Sequence, residues 1–171
     1  IAISMYMGLR IGEVCALQWK EIDLEKRVLT VSKTIQRVQC RTGSKQTKLI
    51  ITEPKSESSK RTIPIPDCLL PLLRRFKDNG EVYVVSGRKK PVEPRTMQYR
   101  FAKILHNADL PSFHYHSLRH LFATRCVELG FDVKTLSEIL GHSSVEVTLN
   151  RYIHSDMERK RTCMSLLSKC A

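Results

Sequence analysis

Apolar positions change their period several times along the chain, and each change marks an element. From Ile3 to Trp19, Met5, Leu9, Val14 and Leu17 keep helical spacing and predict a helix interrupted near Gly8 and Gly12. Residues 27–37 and 48–52 are rich in Val, Ile, Thr and Leu and predict extended strands, divided by the polar turn Thr42-Gly43-Ser44-Lys45. A polar loop, Pro54 to Lys60, leads to a third strand over 61–65, and the three segments predict a small antiparallel sheet. Pro66 and Asp67 open a helix through Phe76, closed by Asn79-Gly80, and a short apolar run follows at 82–85. Pro94 begins a helix to about Ala108, and the helical pattern from His116 to Leu129 stops at Gly130. Asp132 caps a helix that ends at Gly141. Ser143 and Glu146 form a capping box for a last helix carrying Tyr152 toward its end. The expected fold class is α+β: mostly helical, with a small three-stranded antiparallel sheet and no internal repeats.

Composition changes the picture mainly through charge. With 171 residues, 42% hydrophobic and 27% charged, the chain suits one globular domain. Its formal charge of +12, from 29 Lys+Arg against 17 Asp+Glu, favours a polyanionic partner. No apolar run approaches the length of a membrane span, which puts nucleic acid ahead of a membrane. Cys15, Cys40, Cys68, Cys126, Cys163 and Cys170 form no CxxC pair; several sit in apolar helical patterns and are expected as buried thiols, with the cytoplasm as default compartment. Because the chain opens on Ile1 inside an apolar helical pattern, residues 1–171 are expected to be one domain of a protein with a further N-terminal portion.

Candidate chemistry lies in short polar motifs. His116 and Arg119 are three apart and share a helix face with His120 and Ala123, whereas Leu118, Leu121, Phe122, Cys126 and Leu129 occupy roughly the opposite side. This predicts that His116 and Arg119 turn outward, toward a cleft; a solvated basic face is the plainer alternative. His142 stands just before the last helix, where backbone N–H groups favour an anion. Tyr152 is ten residues on, about 15 Å along an unbroken helix. Upstream, Gly8-Leu9-Arg10-Ile11-Gly12-Glu13 supplies a second arginine and an acid.

In this fixed order, Gly-Leu-Arg10-x-Gly-Glu13, His116-x-x-Arg119-His120, Leu140-Gly141-His142 and Arg151-Tyr152-Ile-His resemble the tyrosine recombinase (integrase) family over nearly the whole chain. The strand-rich segment and the Pro54-Lys55-Ser56 loop look most like the integrases of bacterial conjugative transposons. The resemblance implies that Arg10 and Arg119 clamp the scissile phosphate, that Tyr152 is the nucleophile forming a covalent 3′-phosphotyrosine, and that His116 takes up a proton. It makes His142 a hydrogen-bond donor to the phosphate. It places a lysine in the turn before the third strand as proton donor to the leaving 5′-oxygen; Lys55 matches best and Lys60 is its rival. Glu13 would orient an arginine, and His120 would support the same cluster. No cofactor, metal or ATP is implied. The implied partners are double-stranded DNA at recombination sites and further copies of the protein, a dimer to tetramer on DNA. The tail, 156–171, would dock on a neighbouring copy through Met164, Leu166 and Leu167, or fold back on its own domain.

Three rivals accompany this expectation. A type IB topoisomerase uses similar tyrosine chemistry to relax supercoils. A DNA-binding module without activity would use the same basic helix to hold phosphates. A zinc-dependent nuclease would use His114, His116 and His120, although Arg119 between two of them disfavours a cation there.

Overall fold

The computed structural model describes residues 1–39, 47–53, 59–78, 80, 82–152, 157, 161, 164 and 165, with the backbone alone described at 150–152. The first apolar stretch forms two helices. The first, α1 (Ala2–Met7), closes at Gly8, whose N–H bonds the Ser4 carbonyl at 3.1 Å, and α2 (Ile11–Ala16) restarts after Arg10. Gly12 lies inside α2 where the segment at Thr34-Ile35 passes against it: a Cβ there would stand 2.6 Å from the Ile35 carbonyl oxygen and 2.6 Å from the Thr34 hydroxyl.

A small three-stranded antiparallel sheet is present, but its strands are not all those expected. Its order is β1 (Ile22–Asp23), β2 (Val28–Val31), β5 (Arg61–Pro64), with Leu29 opposite Ile63 and Val31 opposite Arg61. The segment read as one strand over 27–37 breaks at Ser32-Lys33, where the Ser32 hydroxyl donates to the Glu21 carboxylate. Beyond the break, β3 (Thr34–Gln39) leaves the sheet and pairs with β4 (Thr47–Thr52) as a separate two-stranded ribbon. Both halves have strand composition, so side-chain pattern alone does not locate the break.

The remaining elements are helical. A 3-10 turn, Asp67–Leu69, leads into α3 (Leu70–Arg75), followed by α4 (Pro94–Asn107), α5 (Ser117–Glu128), α6 (Val133–Leu140) and α7 (Val145–Tyr152). Asp132 caps α6 as expected, its carboxylate accepting the Thr135 N–H at 2.9 Å. The helix after it begins at Val145, so Ser144 rather than Ser143 directly precedes its first turn.

Three apolar clusters support these elements. Met7, Leu9, Leu29, Ile63 and Leu69 join α1 to the three-stranded sheet. Cys15, Ile35, Phe101 and Tyr115 join α2, the ribbon and α4, and Ala123, Cys126, Leu136 and Leu140 join α5 to α6. Burial pushes the thiols of Cys15 and Cys126 up, to about 12 and about 11. Cys68 is exposed, and Cys40, Cys163 and Cys170 lie outside the described residues. Among the described residues, no helix is long and apolar enough to cross a membrane.

The orientation of α5 corrects part of the expectation: Leu118 and Cys126 are buried and His116 is exposed as expected, but Arg119 is not turned outward. Arg119, Ala123, Cys126 and Val127 follow helical spacing and face inward, and Arg119 is only 2% exposed. Leu121 and Leu129, expected in the core, stand 54% and 63% exposed. Apolar residues are spread around much of this helix, so its pattern does not choose a face. The choice is made by backbone carbonyls waiting for a guanidinium inside.

Candidate active site

Arg119 is held by two carbonyls from different parts of the chain. Its Nη1 donates to Gly8 O and its Nη2 to Leu140 O, both at 2.7 Å. One carbonyl follows α1 and the other ends α6, so the buried guanidinium ties three helices together. The partial negative charge at a helix C-terminus adds to its stabilisation.

Arg10 reaches the same place from the start of α2. Its backbone N–H donates to Glu13 Oε2 at 2.8 Å, its Nη1 to Glu13 Oε1 at 2.9 Å, and its Nη2 to Gly141 O at 3.0 Å. Its side chain is 38% exposed, so this guanidinium is anchored at one edge and open to solvent at another. Glu13 is itself buried, with its side chain 4% exposed. Burial works to raise its carboxyl, but hydrogen bonding and charge from Arg61, and the charge of Arg10, outweigh this and hold it below the ordinary range.

The two histidines arrive by different routes. His116 is exposed at the start of α5 and accepts the Arg119 N–H through its carbonyl at 3.1 Å. Its neighbour Tyr115 is pinned in the core, edge-on to Phe101 at 5.4 Å and hydrogen-bonded to the Ser4 hydroxyl at 2.8 Å. The His116 ring meets the His120 ring edge-to-face at 4.5 Å. His142 follows Gly141, whose positive φ of 63° turns the chain out of α6. Its Nδ1 lies 2.7 Å from the hydroxyl of Thr148, a fully buried residue of α7.

Arg10, His116, Arg119 and His142, with Ser143 and Val147, line one cleft of about 180 Å³. Four of the six residues expected to carry chemistry are therefore brought together, from α2, α5 and the α6–α7 connection. Tyr152 ends α7 in backbone, four residues after Thr148 and so on the same helix face; its side chain is not described. Lys55 lies outside the described residues. Lys60 is exposed and lines a neighbouring groove with Arg61, Ser137, His142 and Ser143. Among the described residues no three His, Cys, Asp or Glu side chains come together as a ligand set, so His114, His116 and His120 are not grouped for a metal.

Two residues of this cluster escaped the sequence reading. Arg61 forms a two-pronged ion pair with Glu13, Nη1 to Oε1 and Nη2 to Oε2, both at 3.0 Å. Its only mark in the sequence is its place at the head of a strand after a polar loop. Thr148 carried a clearer sign, since it precedes Tyr152 by one helical turn.

An α+β domain whose cleft gathers two arginines and two histidines is suited to holding a phosphate. The sequence matches the phage integrase family over residues 1–159, and the chain belongs to that family. It is 33% identical over 180 residues to a XerC-like tyrosine recombinase of Caldanaerobacter subterraneus subsp. tengcongensis, covering 94% of this chain and 46% of that protein. It is 34% identical over 156 residues to the tyrosine recombinase XerA of Pyrococcus furiosus, covering 86% of this chain and 47% of the relative. The chain thus spans less than half the length of these two relatives. Among solved structures, the Tn1549 transposon integrase in complex with circular intermediate DNA matches with a TM-score of 0.73 and 30% identity, covering 96% of this chain and 57% of that one. A XerA recombinase crystal structure shares the fold at a TM-score of 0.68 and 22% identity.

Proposed function

We propose that this chain is the catalytic domain of a tyrosine-type site-specific DNA recombinase that serves excision and insertion of a mobile element. The observation that carries the reading is the convergence of Arg10, His116, Arg119 and His142 on one cleft, beside the helix that leads to Tyr152. Family membership and the similarity to a transposon integrase support it.

In this reading the scissile phosphate sits in the cleft. Arg10 and Arg119 offset the charge that grows on its non-bridging oxygens in the pentacoordinate transition state, and arginine suits this because its planar fork stays charged. Both guanidiniums are already oriented by backbone carbonyls, so little reorganisation accompanies the reaction. The Tyr152 phenol oxygen attacks phosphorus while His116 takes up its proton, and the bond from phosphorus to the 5′-oxygen breaks. Lys55, with Lys60 as rival, gives a proton to the leaving 5′-oxygen. The DNA 3′-phosphate remains esterified to Tyr152, and attack by another strand's 5′-hydroxyl reverses the step without ATP or metal. The Thr148 hydroxyl fixes the His142 ring through Nδ1, and His142 Nε2 is the nitrogen assigned to donate to a phosphate oxygen. Glu13 orients Arg10, and His120 steadies the His116 ring.

The partner is double-stranded DNA at a recombination site, bound by several copies of the protein in the bacterial cytoplasm. The charge of +12 predicts binding that weakens steeply with salt as counterions are released. The tail, 156–171, is proposed to dock on a neighbouring copy; of its apolar residues Met164 is exposed, and Leu166 and Leu167 lie outside the described residues. The deciding experiment is a denaturing gel for a covalent protein–DNA adduct on a nicked recombination-site duplex, in excess chelator. An adduct that persists supports the reading; none on any bound duplex, or one that returns only with added metal, overturns it.

A further inference from the structure

Three consecutive carbonyls at the end of α6 each accept a guanidinium from a different part of the chain. Ile139 O takes Arg61 Nε at 2.6 Å, Leu140 O takes Arg119 Nη2 at 2.7 Å, and Gly141 O takes Arg10 Nη2 at 3.0 Å. Two of these arginines line the cleft and the third does not. Arg61 spends its donors inside the protein: besides Ile139 O, it holds both Glu13 oxygens at 3.0 Å and Ser59 O at 3.0 Å. Its side chain is 7% exposed.

The geometry points to Arg61 as a positioning residue for the phosphate-binding pair, one that never touches DNA but holds the groups that hold Arg10 and Arg119. The inference rests on the recombinase reading. Glu13 is the link to Arg10: with both oxygens fixed by Arg61, the carboxylate keeps the one orientation in which Oε1 meets Arg10 Nη1 and Oε2 meets the Arg10 backbone N–H. The α6 terminus is the link to Arg119, because fixing Ile139 O also fixes Leu140 O, one residue on. Three guanidiniums gathered here would repel one another. One buried carboxylate and the negative end of α6 offset part of that repulsion and leave a net positive cleft for a phosphate.

Only arginine fits the position. Four bonds leave it in fixed directions, which a planar fork provides and a lysine ammonium does not. The fit is close on its other side too. A Cβ on Gly141 would lie 2.8 Å from Arg61 Nη1 and 3.1 Å from its Cζ, so the guanidinium rests directly against the Gly141 backbone.

The test compares the unmutated chain with Arg61→Lys on a duplex that the unmutated chain selects from a randomised pool, nicked beside the cleavage step. A second duplex carries a neutral methylphosphonate at the scissile position, which leaves less charge for an arginine pair to offset. At saturating protein, adduct formation by Arg61→Lys should fall on the order of 10–100-fold on the phosphodiester, as expected for a misplaced clamp. Binding should change little, and the methylphosphonate should restore most of the lost rate. An unchanged rate on the phosphodiester overturns the proposal, and so does a loss that is equal on both duplexes, which would mean that Arg61 serves folding alone. Arginine side-chain ¹⁵N–¹H spectra give a readout independent of chemistry. Arg10 resonances that are restrained in the unmutated chain should become averaged in Arg61→Lys and remain restrained in Tyr152→Phe. Restrained Arg10 signals in Arg61→Lys would sink the inference. Should the unmutated chain form no adduct, the recombinase reading falls while the spectra still decide the role of Arg61.

Discussion

On one side of the cleft, Arg10, Arg61 and Arg119 are fastened to Glu13 and to three successive α6 carbonyls. On the other, α7 buries Thr148 against His142 but leaves Val145, Val147 and Leu149 at 38%, 38% and 40% exposure. The contrast follows from what each side carries. A charge withdrawn from water beside other charges must have fixed partners, or its desolvation is not recovered, whereas a surface aliphatic group needs none. The arginine side is therefore part of what keeps the domain folded, and the α7 side is mostly not. Substitutions on the arginine side should therefore cost stability as well as chemistry, and those on the α7 side mainly chemistry.

The largest effect expected is on the α7 side, and on chemistry alone. Tyr152→Phe should abolish the covalent adduct on a denaturing gel, with DNA binding and urea midpoint nearly unchanged; a normal adduct yield would remove Tyr152 from the mechanism. On the arginine side, Glu13→Ala should cost about 3–5 kcal/mol, because it leaves Arg61 buried without its carboxylate. Equilibrium urea unfolding reads this, and a loss under about 1 kcal/mol would break the contrast. The same pair predicts a pH dependence. The folded Glu13 carboxyl is held below its unfolded value, so its contribution is complete above the ordinary glutamate value of about 4.3 and is lost as pH falls from there through the folded value. Glu13→Gln should flatten the stability curve in that acid window and leave its shape above pH 6 or so unaltered. A curve of unchanged shape throughout would mean that the pair is not coupled to folding.

Thr148→Val keeps the shape of a buried side chain but takes the hydroxyl from His142. It should cost about 1–2 kcal/mol, slow adduct formation, and shift the pH profile of cleavage as the imidazole loses its Nδ1 partner. A cleavage profile identical to that of the unmutated chain would show that Thr148 only fills space. The smallest effect belongs to Leu149→Gln, on the exposed face of α7, which should stay within about 0.5 kcal/mol by thermal melts. A larger loss would show that this face is covered in the working protein.

Much of this arrangement was written in local sequence. The α4 and α6 boundaries, the Asp132 cap, the turn at Gly141 and a mixed helical fold with a small antiparallel sheet all follow from caps, glycines and apolar period, which act over a few residues. The order of the arginine, histidine and tyrosine motifs picked out four residues that do meet at one cleft. What local pattern could not supply was which face of α5 turns inward, where the 27–37 segment breaks, and that Arg61 and Thr148 belong to the site. Arg119 faces in because Gly8 O and Leu140 O, 111 and 21 residues away, are both there to receive it. The buried ion pair of Arg61 and Glu13 spans 48 residues. A charged side chain reads as surface until its partners are placed around it, and only the packed backbone places them.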